Sequence, residues 1–141
     1  MLEKDIIQQR GFHNIYDENG KAIGFQFRVR SEYYRGIWLS LIRPGDVIVD
    51  GEVFGKDKIK WNIGGVDYTL DEMLKVTDIQ WPIDKAAVIK VKKEGGLSIG
   101  YHDVSVEYRL IMSYIPPVVN SDEAFERMPA KPITRRILLV N

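Results

Sequence analysis

The chain has 141 residues, of which 45% are hydrophobic and 28% are charged, and its 20 basic and 20 acidic side chains give a formal net charge of +0. This length suits one domain with a buried core, and the neutral balance argues against a nucleic-acid partner, which favours a clustered basic face. The absence of cysteine excludes disulfides, thiolate nucleophiles and cysteine-ligated zinc.

Alternation of apolar and polar residues predicts three β-hairpins in the first half of the chain. Phe25, Phe27 and Val29 alternate with polar residues, a pattern typical of a half-buried strand. The Asn19-Gly20 pair before them predicts a tight turn, because both central positions of such a turn favour positive φ. Two further hairpins are indicated by Asp50-Gly51, between 47–49 and 52–54, and by Gly64-Gly65, between 59–63 and 66–69.

One short helix is predicted from Asp71 to Val76. Acidic residues lie in its first turn and Lys75 lies near its end, as the helix dipole prefers. Strands are expected again over 87–91 and over a long run that begins near Tyr101. Pro116-Pro117 ends that run, because proline cannot donate a ladder hydrogen bond.

The C-terminal part of the chain leaves two interpretations open. Residues 120–132 form a polar, proline-containing connection, and 133–140 are either a last strand or a tail that orders on a partner. No linker divides the sequence, so we predict one domain over 1–141, with 118–141 as a candidate partner-binding tail. Short strands separated by turns predict an all-β fold, a two-layer β-sandwich of jelly-roll or immunoglobulin-like type with one short helix.

The N-terminal residues are charged where a signal peptide needs an apolar core. No apolar run approaches the roughly 20 residues needed to span a bilayer. We therefore expect a cytoplasmic protein without a membrane partner.

The two histidines of the chain, His13 and His102, are weak candidates for a metal site or for catalysis. Metal sites on one chain commonly need three or four ligands, and His102 with Asp103 would supply only two. No metal site is therefore predicted on this chain. We interpret His102 first as a residue that caps or lines a strand after the Gly100 turn, with a catalytic or substrate-contacting role as the alternative.

Paired carboxylates could carry acid–base chemistry, but each pair has a simpler interpretation. Asp71-Glu72 would serve the helix N-terminus, whereas Asp17-Glu18 and Asp122-Glu123 lie in polar turns. No nucleophile elbow, P-loop or dinucleotide fingerprint is present.

One aromatic segment stands out as a candidate substrate pocket or partner interface. If the chain is extended here, Tyr33 and Tyr34 point to opposite faces, so one ring must leave the core. Arg35 offers a planar fork of donors, Gly36 allows close backbone approach, and Trp38 adds a large ring. Tyr, Trp and Arg are enriched at interface hot spots. The alternative is a strand end on which Arg35 simply stacks against a tyrosine.

From about Phe12 to Pro117 the chain resembles the β subunit of bacterial C-glycoside deglycosidases. The more specific blocks are Tyr33–Gly36 and Leu39–Ile42. Further residues that carry the resemblance are Gly24–Arg30, Val47, Val49–Gly51, Tyr68–Met73, Trp81, Gly95–Leu97, Gly100–His102 and Ser113–Pro116. The tail after Val118 carries no family pattern.

The resemblance implies a partner, a cofactor and a reaction. The β subunits pair with an α subunit built like a sugar-phosphate isomerase, a TIM barrel that holds a divalent metal, expected to be manganese. The hetero-oligomer would cleave the carbon–carbon bond between sugar and flavonoid-type aglycone in a 3-keto C-glycoside. Proton removal beside the ketone, with metal stabilisation of the enediolate, would start that reaction. The resemblance assigns no catalytic residue to the β subunit.

Two other function classes remain as alternatives. A carbohydrate-binding module would also be a β-sandwich with exposed aromatic rings, and the chain has 3 Trp and 7 Tyr. Such modules usually act outside the cell, however, and no export signal is recognised. A structural protein-interaction domain is the third interpretation.

Overall fold

The computed structural model describes residues 2–112, 114–129 and 131–141. Its strands are β1 (Ile7–Tyr16), β2 (Ala22–Val29), β3 (Ile37–Trp38), β4 (Ile42–Val49), β5 (Glu52–Phe54), β6 (Ile59–Ile63), β7 (Val66–Thr69), β8 (Gln80–Trp81), β9 (Ala87–Lys92), β10 (Gly100–Leu110) and β11 (Ile133–Leu139). The helices are α1 (Leu70–Met73) and α2 (Asp122–Arg127), with 3-10 turns at Leu39–Leu41 and Lys56–Lys58. Within the described ranges, neither α-helix has the length or apolar content needed to cross a membrane.

Two antiparallel sheets face each other across one core. The first has the strand order β1-β2-β9-β6-β7, the second has the order β11-β10-β4-β5, and β3 with β8 forms a small third sheet. Phe25 of β2 meets Phe54 of β5 at 5.5 Å between ring centroids, and the buried side chains of both sheets form one cluster. The predicted two-layer β-sandwich is therefore confirmed.

The three predicted hairpins are β1–β2, β4–β5 and β6–β7, each with antiparallel pairing. Asp50 has a φ of +50° and Gly51 has a φ of +88°, the positive values that a tight turn between β4 and β5 requires. Gly64 and Gly65 likewise have positive φ values, so the turn residues set the register of β4–β5 and β6–β7 locally, as their sequence indicates. The prediction of a tight two-residue turn at Asn19-Gly20 is wrong, because the β1–β2 connection spans the five residues 17–21 and, of this pair, only Gly20 has a positive φ, +78°.

Three aromatic side chains join the sheets. Trp81 of β8 meets Trp61 of β6 at 5.4 Å and Tyr108 of β10 at 5.5 Å, and Trp61 meets Tyr108 at 5.8 Å. The rings meet edge to face, the arrangement that the ring quadrupole favours. The Tyr108 hydroxyl donates to the Arg30 carbonyl at 3.1 Å, and Trp81 Nε1 donates to the Lys85 carbonyl at 3.0 Å. Both buried polar groups therefore have partners.

Side-chain amides complete the backbone pairing where the strand ladders stop. Gln9 accepts from the Leu138 amide at 2.9 Å and donates to its carbonyl at 2.8 Å, which links β1 to β11 across the two sheets. Asn14 pairs with both backbone groups of Leu97 in the same way, at 2.8 Å each. Each amide thus substitutes for one rung of a β-ladder.

The predicted helix is present but shorter than expected, and α1 begins at Leu70. The Thr69 hydroxyl accepts from the Glu72 amide at 3.1 Å, and the Glu72 carboxylate accepts from the Thr69 amide at 2.8 Å. This reciprocal capping box fixes the start of the helix. Glu72 therefore caps the helix N-terminus, the role expected for the Asp71-Glu72 pair.

A second short helix, α2, lies in the part of the chain expected to be a loop, so the prediction of one helix was incomplete. Ser121 caps it by accepting from the Ala124 amide at 3.1 Å. The Asp122 carboxylate accepts a hydrogen bond from Nε of Arg43 at 2.6 Å. The Arg109 guanidinium donates a hydrogen bond to the Phe125 carbonyl at 3.0 Å. Contacts from distant strands therefore hold a helix too short to be stable alone.

Residues 133–140 were predicted to be either a last strand or a tail, and the structure shows the strand, β11. β11 pairs antiparallel with β10 and buries Ile137 and Leu139 in the core. Arg135 forms an ion pair with Glu3 at 2.9 Å, which ties the strand to the N-terminal segment. A partner-binding role for 118–141 stays a prediction.

The hydroxyl of Tyr108 is expected to contribute to stability. In a Tyr108→Phe variant the Arg30 carbonyl loses its buried donor, so the free energy of unfolding should fall by about 1 to 2 kcal/mol. Urea denaturation followed by tryptophan fluorescence measures this change. Tyr101→Phe is the matched control, because Tyr101 is 61% exposed and should change stability by less than about 0.5 kcal/mol. Equal losses in both variants would contradict the assignment.

Candidate functional site

The segment between β2 and β3 bends, which corrects the expectation of an extended chain at the two adjacent tyrosines. The Ser31 hydroxyl accepts from the Tyr33 amide at 3.1 Å, a local turn that redirects the backbone. The rings of Tyr33 and Tyr34 therefore contact each other edge to face at 4.7 Å and do not lie on opposite faces. Tyr33 is half-buried against the core, whereas Tyr34 is 65% exposed. One ring is thus available outside the core, as expected, but for a different geometric reason.

Tyr114 joins this pair from the far end of the chain. Its ring stacks on Tyr33 at 6.3 Å with an interplanar angle of 12° and lies 6.4 Å from Tyr34. The Arg35 guanidinium carbon lies 5.9 Å from the Tyr33 centroid and 5.4 Å from the Tyr34 centroid. Trp38 is exposed beside them in β3. We call Tyr33, Tyr34, Arg35, Trp38 and Tyr114 the Tyr33 surface.

A cavity of about 370 Å³ opens at the Tyr33 surface. Its lining residues are Tyr33, Arg35, Gly36, Ile37, Trp38, Leu41, Gln80, Ile111 and Met112. A Cβ on Gly36 would come within 2.8 Å of Gln80 Oε1, so the missing side chain leaves room for that amide. The close approach expected at Gly36 is therefore made by the side chain of Gln80. The cavity combines aromatic walls with two polar groups, Arg35 and Gln80.

The charge of Arg35 has no carboxylate partner within the described ranges, although the side chain stacks on two phenol rings. A hydrogen bond with the neighbouring Tyr33 hydroxyl raises the pKa of Tyr34, which favours its neutral phenol form. Such a surface can stack on a flat apolar group and donate to a carboxylate or an oxygen. The stacking alternative and the interface interpretation of Arg35 are both compatible with this geometry.

His102 lies apart from the cavity, on the inner side of β10. Its ring is 6% exposed, and its Nδ1 lies 2.6 Å from Asp50 Oδ2 while its Nε2 lies 2.7 Å from the Ser98 carbonyl. The other Asp50 oxygen accepts from the Asp103 amide at 2.8 Å. Both ring nitrogens are thus engaged with the fold, which matches the strand-lining interpretation. A substrate contact by His102 stays a prediction.

No three side chains of the types that bind metals gather in the described ranges. His, Asp and Glu form no such cluster there, and the Nδ1 of His13 lies 2.8 Å from the Asn14 carbonyl. Within these ranges, no set of side chains is arranged to hold a metal ion.

Four residues that reach the site from segments remote from Tyr33 were not predicted from the sequence: Gln80, Ile111, Met112 and Tyr114. Tyr114 had one signal, since it lies in the last block of family-like residues. Ser113, in the same block, lies outside the described residues.

The Asp50–His102 pair predicts an acid-dependent contribution to stability. Burial pushes the pKa of Asp50 upward, but hydrogen bonds from His102 and the Asp103 amide outweigh it and leave the pKa below its ordinary value. The ionised carboxylate therefore stabilises the folded state above pH about 3.9, and this contribution disappears as the pH falls through the lower folded-state pKa.

The test compares Asp50→Asn with the wild type in urea denaturation from pH 7 to pH 2. Asparagine also tolerates positive φ, so the turn is retained. The variant should be less stable at pH 7, and the difference should shrink as the pH falls below about 3.9. Asp84→Asn, at an exposed carboxylate outside any ion pair of the described residues, should keep the wild-type pH dependence. A constant difference between wild type and Asp50→Asn would contradict the assignment.

Comparison with known proteins gives one consistent family. The family model described as C-glycoside deglycosidase beta subunit matches residues 2–114. The C-glycoside deglycosidase beta subunit of Eubacterium cellulosolvens is 48% identical over 118 residues, which cover 84% of this chain and 80% of that protein. The 3'-dehydrocarminate deglycosidase beta subunit of a Microbacterium species is 28% identical over 140 residues, 95% of this chain and 99% of that protein. The chain therefore belongs to the C-glycoside deglycosidase beta subunit family.

Proposed function

We propose that this chain is the small subunit of a hetero-oligomeric C-glycoside deglycosidase and that the Tyr33 surface contacts a larger α subunit beside its active site. The α subunit would be a TIM barrel of the sugar-isomerase type. The substrate would be a 3-keto C-glycoside with a flavonoid-type aglycone. The observation that carries the proposal is the exposed aromatic cluster with Arg35, which lies within the residues matched to the family.

The composition of the Tyr33 surface suits a protein partner. Tyr34 and Tyr114 are 65% and 60% exposed, and their rings contact each other at a tilt, 6.4 Å between centroids, with most of their surface left open by the described residues. Aromatic rings and arginine dominate the binding free energy of protein interfaces. A carboxylate of the partner would give Arg35 the charge-assisted hydrogen bond that it lacks within the described residues, and such a bond is strong where water is excluded.

The chain's own contribution to the reaction would be to complete and shield the site. The described residues of the cavity include no carboxylate, so proton transfer is assigned to the α subunit. A divalent metal held by the α subunit would stabilise negative charge on the sugar. Tyr33, Tyr34 and Trp38 would exclude water at the edge of the site, and Arg35 would hold a partner carboxylate or an oxygen of the aglycone.

Arg35 is expected to matter for assembly and not for the fold of the chain. Arg35→Ala should weaken binding of the α subunit, or lower kcat/KM, by a factor that corresponds to about 2 kcal/mol of free energy, the range of interface hot spots. The melting temperature of the isolated chain should barely change, because an exposed arginine contributes little to stability. Analytical ultracentrifugation of the mixed subunits and steady-state kinetics on a 3-keto C-glucoside measure the two effects.

Arg10→Ala is the control for this experiment. Arg10 is an exposed residue of β1, outside both the Tyr33 surface and residues 118–141, and like Arg35 it forms no ion pair with any described residue. This variant should keep assembly and activity. If Arg35→Ala lowers the melting temperature of the lone chain while the complex keeps its activity, Arg35 is structural and the interface assignment is wrong.

The isolated chain is expected to be inactive. After treatment with a chelator and repurification it should not cleave a 3-keto C-glucoside, because the described residues of the cavity hold no carboxylate for proton transfer. Product formation is followed by liquid chromatography of the released aglycone. Addition of the α subunit with Mn²⁺ should restore turnover, and cleavage by the chain alone would refute the division of roles.

A further inference from the structure

A second cavity, of about 710 Å³, lies on the outer face of the five-stranded sheet. Lys60 of β6 and Lys90 and Lys92 of β9 point away from the core, because their neighbours Trp61 and Val91 are buried. Lys56 and Lys58 of the 3-10 turn before β6 also line it. We call this cavity the lysine groove, and it shares no lining residue with the cavity of the Tyr33 surface.

The lysine groove concentrates positive charge on a chain whose net charge is zero. Lys60 lies directly opposite Lys90 in the β6–β9 ladder, and like charges in this position are destabilising. Asp67 forms an ion pair with Lys90 at 3.0 Å, and the charge of Lys60 helps to lower the pKa values of Asp67 and Glu72, so these two carboxylates oppose the repulsion. Lys58 and Lys92 form no ion pair with any described residue, nor does Lys60. Five lysines and three aspartates line the groove, which leaves positive charge in excess.

The groove also has apolar surface for a flat ligand. Ile23, which is 42% exposed, and Ile15 lie at one end, and Leu70 lies at the other. A Cβ on Gly24 would collide with the Val91 carbonyl, so glycine allows the two strands to approach closely here. Lysine stems add further apolar area while their ammonium groups stay in water.

We propose that the lysine groove is a binding site for a small aromatic carboxylate. Charge complementarity selects the anionic group, since the three lysines without carboxylate partners lie on one side of a neutral protein. The volume lies in the range of pockets for drug-sized ligands, and the isoleucines and lysine stems suit an aromatic ring. The lysine groove shares no lining residue with the cavity of the Tyr33 surface, so this proposal does not rest on the interface assigned there.

The experiment uses the full chain and 2-naphthoate as the probe, with neutral 2-naphthamide as the ligand control. Isothermal titration calorimetry gives the affinity, and amide chemical shifts locate the site. Lys60→Met and Lys92→Met keep the apolar stems and should each weaken naphthoate binding about fivefold, the effect of one charge at contact distance in water. Lys85→Met, at an exposed lysine outside the groove, should leave the affinity unchanged. Asp67→Asn releases Lys90 and should tighten binding.

Higher salt should weaken naphthoate binding, whereas naphthamide should bind at least about fivefold more weakly than naphthoate. Chemical-shift changes should fall on β2, β6 and β9. Thermal denaturation of each variant checks that it is folded. The proposal is overturned by absence of naphthoate binding, by equal affinity for the neutral amide, by insensitivity to both lysine substitutions or by shifts confined to the Tyr33 surface.

Discussion

The contact of Trp81 with Trp61 and Tyr108 determines where the Tyr33 surface lies. Trp81 belongs to β8, and its partner across the small sheet is Ile37, the buried residue that follows the aromatic segment. On the other side, the Tyr108 hydroxyl holds the Arg30 carbonyl, just before that segment. Both ends of the irregular stretch between β2 and β3 are therefore tied to one aromatic cluster, which itself bridges all three sheets.

Much of the sandwich could be predicted from the sequence because its determinants are local. In a sheet with one face in the core, side chains alternate between buried and exposed positions, and this period of two is visible in the residues of β2 and β9. Turns are equally local, since Asp50 and Gly51 supply the positive φ of their hairpin regardless of distant contacts. The capping box of Thr69 and Glu72 is a third signal within four residues.

The remaining features depend on contacts between residues far apart in the chain, which no local pattern encodes. Helix α2 is held by Arg43 acting on Asp122, 79 positions away, so its polar sequence resembled a loop. The bend at Tyr33 depends on one hydroxyl, and the arrival of Tyr114 beside it depends on how β10 ends. The aromatic segment is contiguous in the sequence, so it could be predicted as a candidate site. Gln80 and Met112 line the same cavity from remote segments, so their place in it could not be predicted.

Anchoring at both ends explains how an irregular segment can act as an interface. Flexible loops lose conformational freedom when they bind, and each immobilised side chain reduces the affinity. In the Tyr33 surface, the ring contacts among Tyr33, Tyr34 and Tyr114 and the cation–π contact of Arg35 restrict the side-chain rotamers within the chain itself. The burial of Ile37 restricts the backbone beside them. The sandwich therefore orders the segment in advance, so that in the proposed complex this chain would present a preorganised edge to the active site of the α subunit.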